Sequence, residues 1–329
     1  MKITVCIITK NNFVDLLECI VSIASQSTPP DEILIINDLS EQNERLRNLS
    51  NHDRYLLETL KHSLKIPFRV YNHRQKSRAA ARNMALVLAT SQYVAMIDDD
   101  CFADFNWIRN IRRTLKKNLS VKVIVGYADT FFQNNSFAIA RQIFDSYRKE
   151  QSVKVPRGSK IVDFEMFDTK NLTLDKNFFL NRQIGFISYP KPAGVVEIED
   201  CQLGRLFQEK TKHLSNHQSL AMYDRSITIF HKDPTSFGKY LRKYLSSAIG
   251  FYYFRKRWPE KQQEKQVIKF RNYWQEHLNR RNKKLNLITK IAVIAVIYTT
   301  VAIDYLKNLL LKMDKSITHS QVQACSSRD

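Results

Sequence analysis

Glycine is scarce in this chain, with seven residues in 329, and neither of the common glycine-rich phosphate-binding motifs is present. Loops of the types G-x-G-x-x-G and G-x-x-x-x-G-K-[S/T] depend on glycine because the backbone must approach the phosphates closely. Their absence disfavours a dinucleotide-dependent dehydrogenase and a P-loop NTPase.

Cysteine is also sparse and has no metal-binding pattern. The five cysteines are an odd number without a C-x-x-C spacing, so neither a disulfide framework nor a zinc site is predicted. We expect reduced thiols in a cytosolic compartment. Residues 1–9 run directly into a strand pattern without separate basic and apolar regions, and no signal peptide is expected.

Acidic residues are outnumbered by Lys and Arg, 32 against 52, which leaves a formal net charge of +20. Residues 232–290 contain 16 Lys or Arg and 4 Asp or Glu, so +12 of the excess lies in this segment. Such a segment attracts nucleic acid, anionic lipid or phosphorylated substrates, although a charge run also occurs as a solvated helix face. No recognised nucleic-acid-binding module is present, so a nucleic-acid partner is not expected.

No apolar run is long enough to span a membrane freely. The most apolar segment is 285–312, but its uninterrupted part, 291–303, has 13 residues, fewer than the ~18–20 that a spanning helix needs. The charges within it fall on one side of a helix. These features favour an amphipathic helix on an anionic membrane surface, with a single span or a packed helix as alternatives. We expect the tail, 313–329, to be disordered. The helix is preceded by the basic residues Arg280, Arg281, Lys283 and Lys284.

The first hundred residues alternate short apolar strands with helical patterns. Strands are predicted at 3–9, 32–36, 68–71 and 93–97, and helices at 13–25, 41–64 and 77–90. This alternation predicts an α/β fold with a doubly wound, mostly parallel sheet, extended by helices at the C-terminus. Ligands bind at the carboxyl ends of the strands in such sheets, and the polar residues at those ends are Thr9, Asp38 and Asp98–Asp100.

Three adjacent carboxylates, Asp98, Asp99 and Asp100, directly follow the fourth predicted strand. They repel one another, and burying them is costly unless a cation is present. Oxygen ligands suit Mg²⁺ or Mn²⁺, which typically bind one or two carboxylates together with substrate phosphates. The triplet therefore indicates a Mg²⁺ or Mn²⁺ site, and an exposed acidic turn is the alternative.

Four segments resemble the motifs of family 2 glycosyltransferases with the GT-A fold: VCIITKNN, ILIINDLS, QKSRAAARNMALVLATSQYVAMIDDD and IEDCQLGRLF. They follow the family's order and intervals over residues 1–210. The resemblance implies a hexosyltransferase-type enzyme that moves a sugar from a nucleotide-sugar donor, with UDP favoured, to a saccharide or lipid-linked acceptor. It also implies a nucleotide-sugar-binding half at 1–115, an acceptor-binding and catalytic half at 116–231, and a basic helical extension at 232–284.

The resemblance assigns roles on the donor side of this site. Thr9 and Asp38 would contact the nucleotide base, Arg82 would lie near the diphosphate, and Asp98 near the ribose. Asp100, together with Asp98, would hold the Mn²⁺ or Mg²⁺ ion. The remaining donor-side residues are Asn11 and Asp99, and His231 is a further candidate metal ligand.

On the acceptor side, the resemblance makes Asp200 the general base. A sugar hydroxyl is a poor nucleophile while protonated, and a carboxylate within hydrogen-bond reach can remove its proton. Glu199 either positions the acceptor or caps the following helix. One base and one displacement imply inversion at the anomeric carbon.

The chain departs from the family pattern at several positions. Asn37 and Leu39 flank Asp38 where the family usually has Asp and Gly, which leaves the base of the donor open. Phe254 replaces the Gln of a Gln-x-x-Arg-Trp motif that ends here at Arg257-Trp258. This replacement disfavours a processive polysaccharide synthase.

Two other classes compete with this interpretation. A nucleotidyltransferase of similar topology is disfavoured because ITKNNF is not a glycine-rich, lysine-containing loop. A scaffold without transfer activity, bound to nucleic acid or to a membrane surface, is the second alternative. The intact Asp98–Asp100 triplet and Glu199-Asp200 pair argue against it. We expect an enzyme of polysaccharide biosynthesis at the cytoplasmic face of a membrane, with its catalytic domain in the cytosol.

Overall fold

The computed structural model describes residues 1–10, 12–38, 51–73, 77–152, 167–188, 198–216 and 219–257, together with residues 291, 292, 295 and 299. Strands and helices alternate over most of this part of the chain. In chain order they are β1 (Ile3–Thr9), α1 (Phe13–Ala24), β2 (Glu32–Asp38), α2 (Asn51–Ser63), β3 (Phe68–His73), α3 (Arg78–Leu88), β4 (Tyr93–Asp98), β5 (Cys101–Ala103), α4 (Trp107–Lys117), β6 (Val123–Thr130), α5 (Ser136–Ser152), β7 (Asn171–Asp175), α6 (Lys176–Asn181), α7 (Glu199–Thr211), β8 (Ala221–His231) and α8 (Phe237–Arg257).

The described strands form one eight-stranded sheet in the order β3-β2-β1-β4-β7-β6-β8-β5. Strands β1 to β4 are mutually parallel, whereas β7 is antiparallel to both β4 and β6. Beyond β7, β6 and β8 are parallel, and β5 is antiparallel to β8. The predicted α/β fold with a mostly parallel sheet is confirmed.

Strands β1, β2 and β4 are mainly apolar because both faces of the sheet are covered there. Val5 and Ile7 of β1 belong to the apolar cluster that includes α1 and α4. The intervening Cys6 and Ile8 belong to the cluster on the opposite face, which includes α3, α6 and α7. The period of two thus places each strand between two layers of helices.

Helix α3 is short of bulky side chains on the face that meets the sheet. Ala79, Ala81 and Ala85 are fully buried there. The helix is capped by Ser77, whose hydroxyl accepts a hydrogen bond from the Ala80 N–H at 3.2 Å, a favourable cap for its first turn. Small buried residues allow α3 to lie close to the strands, and Arg82 of this helix reaches Asp98 at the carboxyl end of β4.

Strand β6 changes register against β8 at Gly126 and Tyr127. A Cβ atom on Gly126 would lie 2.2 Å from Nδ2 of Asn171 and 2.5 Å from the Ile227 carbonyl oxygen. The Asn171 amide donates to the carbonyls of Tyr127 and Ile227, both at 2.9 Å, and accepts from the Trp107 indole at 2.9 Å. Asn171 therefore joins β6, β7, β8 and α4, and only glycine leaves room for it at position 126.

Several short elements of the sheet were not predicted from the sequence. β5 has three residues, too few to show a hydrophobic period, and it forms because it pairs with β8. β7 and α6 were also missed. The predicted helix 41–64 is described only over Asn51–Ser63 because residues 39–50 lie outside the described part of the chain.

The chain divides into two compact units, and the first contains the whole sheet. The second unit includes α8, and the guanidinium of Arg141 in α5 lies 6.0 Å from the ring centre of Tyr240 and 5.9 Å from that of Tyr244 in this helix. The predicted halves 1–115 and 116–231 remain a prediction. The first unit consists of Met1–Phe131, Arg148–Ser188 and Glu199–Lys232, and the second of Phe132–Tyr147, Tyr189–Ile198 and Asp233–Asp329.

None of the helices in the described ranges is both long and apolar enough to cross a membrane. The basic cluster 280–284, the tail 313–329 and most of the predicted amphipathic helix 285–312 lie outside the described residues. In that helix only residues 291, 292, 295 and 299 are described, and each is helical.

Candidate active site

The first two carboxylates of the Asp triplet have different partners at the end of β4. Oδ1 of Asp98 accepts a hydrogen bond from Nη2 of Arg82 in α3 at 3.1 Å. Oδ2 of Asp99 accepts one from the hydroxyl of Thr9 at 2.6 Å, because β1 and β4 are adjacent and Ile8 pairs with Asp98. The carboxylates are thus directed towards different elements instead of projecting together into solvent.

Burial and crowding act strongly on Asp99. Burial and, to a smaller extent, the charges of Asp100 and Asp98 raise the pKa of Asp99 to about 7, against the lowering effect of the Thr9 hydrogen bond. A nearby cation would stabilise the ionised form of such a carboxylate. The buried Thr9 hydroxyl donates its hydrogen bond to Asp99. The predicted contact of Thr9 with a nucleotide base stays a prediction.

The third carboxylate, Asp100, lies beside His231, the last residue of β8. Nε2 of His231 is 3.4 Å from Oδ2 of Asp100, and the neighbouring Cys101 pairs with His231 in the β5–β8 ladder. Ligand atoms of Asp100, Cys101 and His231 lie within 4.8 Å of one another. Burial raises the pKa of the Cys101 thiol well above its ordinary range, so it is not poised as a thiolate ligand. An oxygen and an imidazole nitrogen remain, a donor set that fits Mn²⁺.

Arg82 is the cation at the centre of this site. Its side chain is 2% exposed, and besides Asp98 it binds Glu199, the first residue of α7, through Nη1 and Oε1. Arg78, one turn earlier on α3, also approaches Glu199, with Nε 3.7 Å from Oε1. Burial alone would raise the pKa of Glu199, but the charges of Arg78 and Arg82 outweigh it and hold the pKa below its ordinary value. Glu199 is therefore a buried anion held by two arginines.

Asp200 is the partly exposed residue that follows Glu199 in the first turn of α7. Its Oδ1 accepts a hydrogen bond from the Cys201 N–H at 2.8 Å. Burial raises the pKa of Asp200 to about 6, with further contributions from the charges of Glu199 and Asp168. A pKa near the operating pH suits a general base, because the carboxylate is ionised at neutral pH and still accepts a proton.

Asp168 and Arg78 are parts of this site that sequence reasoning did not single out. The Asp168 carboxylate lies 3.6 Å from the Lys170 ammonium, and its Oδ1 accepts from the Lys170 N–H at 3.2 Å. The segment Asp-Thr-Lys-Asn has the form of a polar turn before a strand, which is the only local signal for it. Asp168 comes near enough to Asp200 for its charge to act on that residue because β7, which begins three residues after Asp168, pairs with other strands of the sheet.

Two predicted donor residues cannot be placed in the same detail. Asn11 lies outside the described residues, and Asp38 is described only as the last residue of β2. Near the ends of β2 and β3, Asn37 donates to Oδ1 of Asn72 at 3.2 Å. Within the described part of the chain, Oδ1 of Asn37 and Nε2 of His73 are buried without a hydrogen-bond partner. Sequence reasoning did not identify Asn37 and His73 as candidate residues of the site.

Comparison with known sequences identifies one family. The profile described as "Glycosyl transferase family 2" matches residues 4–184. These residues include the Asp triplet and Arg82. A search among curated proteins found no match.

Solved structures with the same fold are also found. A mannosyltransferase from Pyrobaculum calidifontis, solved with GDP-Man and Mn²⁺, is similar with a TM-score of 0.52 and 14% identity, covering 96% of this chain and 80% of its own. TarS from S. aureus gives a TM-score of 0.50 and 12% identity, covering 92% and 81%. Its complex with UDP-GlcNAc gives 0.50 and 13%, covering 90% and 79%. At these identities the likeness shows the fold, the GT-A arrangement.

Proposed function

Because the family profile matches more than half of it, the chain belongs to glycosyl transferase family 2, and we propose that it is an inverting transferase using a nucleoside-diphosphate sugar. The observation that carries this proposal is the convergence of three groups in one compact unit. These are the Asp98–Asp100 triplet, the buried Arg82 and the partly exposed Asp200 at the start of α7.

Asp200 is the general base in this proposal. Its carboxylate removes the proton from an acceptor hydroxyl while the oxygen attacks the anomeric carbon, and the bond to the diphosphate breaks on the opposite face. The nucleoside diphosphate leaves with the bonding electron pair. One displacement of this kind inverts the anomeric configuration. The raised pKa of Asp200 keeps it basic enough to accept the proton at neutral pH.

Asp100 and Asp98 would hold Mn²⁺ or Mg²⁺, and His231 is a further ligand. The ion would offset the negative charge that develops on the departing diphosphate. The carboxylate and imidazole donors fit such an ion, and the pKa of Asp99 is raised by burial and by the neighbouring charges of Asp100 and Asp98, which a cation would offset. The mannosyltransferase with the same fold was solved with Mn²⁺, which supports the choice of metal.

The nucleotide base would lie at the ends of β1 and β2, near Thr9, Asn11 and Asp38. The unpartnered polar atoms of Asn37 and His73 lie near the ends of β2 and β3 and offer an acceptor and a ring nitrogen for the base. UDP is favoured by the family resemblance. TarS was solved with UDP-GlcNAc and the mannosyltransferase with GDP-Man, so both nucleotides belong in a first test.

The acceptor is proposed to be a saccharide or lipid-linked saccharide at the cytoplasmic face of a membrane. The support is the +12 excess of residues 232–290 and the apolar segment that follows it. A basic segment beside an apolar helix is attracted to anionic lipid and retained by apolar burial.

A thermal-shift screen tests the proposed donor class. Nucleotide sugars and free nucleoside diphosphates are added with and without Mn²⁺, and a ligand that binds the folded chain raises the unfolding temperature by mass action. We expect a stabilising nucleotide whose effect needs Mn²⁺, and release of the nucleoside diphosphate from its sugar when an acceptor is supplied. Stabilisation by DNA or RNA without any response to nucleotide sugars would instead support the scaffold alternative.

A further inference from the structure

A single guanidinium connects the donor side of the site to the helix that carries the proposed base. Nη2 of Arg82 donates to Oδ1 of Asp98 at 3.1 Å, and Nη1 binds Oε1 of Glu199. Asp98 ends β4 and Glu199 begins α7. The two nitrogens of one planar group therefore bind carboxylates from two elements that are far apart in the chain.

This arrangement is not what packing alone would favour. Arg82 and Glu199 are 2% and 3% exposed, and a buried ion pair is often no more stable than apolar residues of the same volume. Within the described residues, Nε of Arg82 and Oε2 of Glu199 also have no hydrogen-bond partner. The network is thus incompletely satisfied, and its geometry points to a role other than stability.

We propose that Arg82 is a positioning residue, which fixes the position of the first turn of α7, and with it that of the Asp200 carboxylate, relative to Asp98. The role of Asp200 in transfer rests on the proposed function. The position of this turn relative to Asp98 is a property of the folded chain, and its dependence on Arg82 can be measured without substrate.

The proximity of Asp200 to Glu199 gives the mechanism of this effect. Asp200 follows Glu199 directly, so a shift of the Glu199 backbone moves the base by a similar distance. Misplacing a reacting group by about 1 Å costs on the order of 10²-fold in rate. The charge of Arg82 also lowers the pKa of Asp200, which is consistent with their proximity.

Lysine is the informative substitution at position 82. An ammonium keeps the positive charge but is a single point, and it cannot reproduce the planar fork that reaches two carboxylates at once. Arg69 provides a matched control at the opposite, amino-terminal edge of the sheet. Its Nε donates to the buried Glu32 at 2.6 Å, so Arg69→Lys also alters an arginine bound to a buried glutamate, although Arg69 is more exposed, at 33%.

The first experiment measures the coupling by hydrogen exchange in the full chain without ligands. The amides of Leu203, Gly204 and Arg205 are the probes, because helical N–H groups bond to carbonyls four residues earlier, here in the first turn of α7. We expect Asp98→Asn to speed their exchange about tenfold, within the coupling energies of residues that share a network. In the Arg82→Lys background the same Asp98 substitution should add little. Arg69→Lys should leave these amides unchanged.

The second experiment measures turnover, with UDP-N-acetylglucosamine and GDP-mannose as donors and Mn²⁺ present. Arg82→Lys should lower kcat by about 10²-fold and change the donor KM much less, whereas Arg69→Lys should leave kcat near that of the unmodified chain. An unchanged hydrogen-exchange rate at the amides of Leu203–Arg205 in the Asp98→Asn variant would overturn the positioning role. So would an unchanged kcat in Arg82→Lys. Absence of turnover in the unmodified chain, with the exchange coupling intact, would count against the proposed function and leave the positioning role supported.

Discussion

Nε2 of His231 lies 3.4 Å from Oδ2 of Asp100, although the two residues are far apart in the sequence. The antiparallel pairing of β5 and β8, which sets Cys101 opposite His231, brings them together. An oxygen and a nitrogen ligand at this separation can share one divalent ion.

Replacing Asp100 by Asn should therefore abolish the Mn²⁺-dependent part of nucleoside-diphosphate binding, because an amide is a weaker ligand than a carboxylate. His231→Ala should weaken it less. Titration calorimetry with UDP or GDP, with and without Mn²⁺, measures this effect. Asp31→Asn is the control, since Asp31 precedes β2 at the other edge of the sheet and pairs with Arg112. Metal dependence that survives in Asp100→Asn would defeat the assignment.

Asp200→Asn should retain donor binding and lose transfer. The amide keeps the size of the side chain and can still accept from the Cys201 N–H, but it cannot take the proton of the acceptor. The expected loss in kcat is about 10²–10⁴-fold. Parallel measurements of transfer rate and nucleotide affinity distinguish this effect from misfolding. Near-normal transfer by Asp200→Asn would place the base elsewhere.

The acid limb of the pH–rate profile should follow the pKa of Asp200. Burial and the charges of Glu199 and Asp168 raise this pKa to about 6. Because the base must be ionised, kcat/KM should fall as the pH is lowered through about 6, and it should be independent of this group well above that pH. Profiles recorded from pH 5 to 8 test this, and a kcat/KM that stays constant down to pH 5, as the ordinary Asp value of 3.8 would give, would contradict it.

Gly126→Ala should destabilise the sheet by about 3 kcal/mol, at the upper end of typical overpacking costs. The added Cβ would meet the Ile227 carbonyl oxygen at 2.5 Å and the Asn171 amide at 2.2 Å, and backbone oxygen cannot move aside cheaply. Urea denaturation measures the difference. Gly238→Ala is the matched control: it adds a Cβ with no atom within 4 Å in α8, and it should stabilise by about 0.5 kcal/mol. Equal effects at the two positions would show that the contact at Gly126 is unimportant.

The full chain should sediment with anionic liposomes, and the basic cluster before the apolar segment should account for part of this binding. Each Lys or Arg near such a surface contributes about 1 kcal/mol. Changing the cluster 280–284 to Gln should weaken sedimentation, as should high salt, while truncation at Arg280 should abolish it. The control changes four exposed basic residues of α4 to Gln: Arg109, Arg113, Lys116 and Lys117. Sedimentation of the truncated chain would place the anchor elsewhere.

Much of the fold could be predicted because its signals are local. Strands β1, β2 and β4 contain continuous apolar runs, and in α1 Leu16, Ile20 and Ile23 recur at helical spacing. The Asp triplet at the end of β4 and the polar residue Thr9 at the end of β1 follow from the same reasoning, since parallel strands end at one edge. Short elements such as β5 and β7 could not be predicted, because they are stabilised by pairing with strands distant in the chain.

The sequence by itself determined the candidate residues of the site: the carboxylates of the triplet, the Glu199-Asp200 pair and the arginine of α3. Only the tertiary structure decided how they are connected. Arg82, expected beside a diphosphate, is buried between Asp98 and Glu199, the latter 117 residues away along the chain. The choice of partner depends on how α3 and α7 pack against the sheet. Local spacing does not predict that packing, because contacts between distant segments are determined by burial and charge in the folded chain.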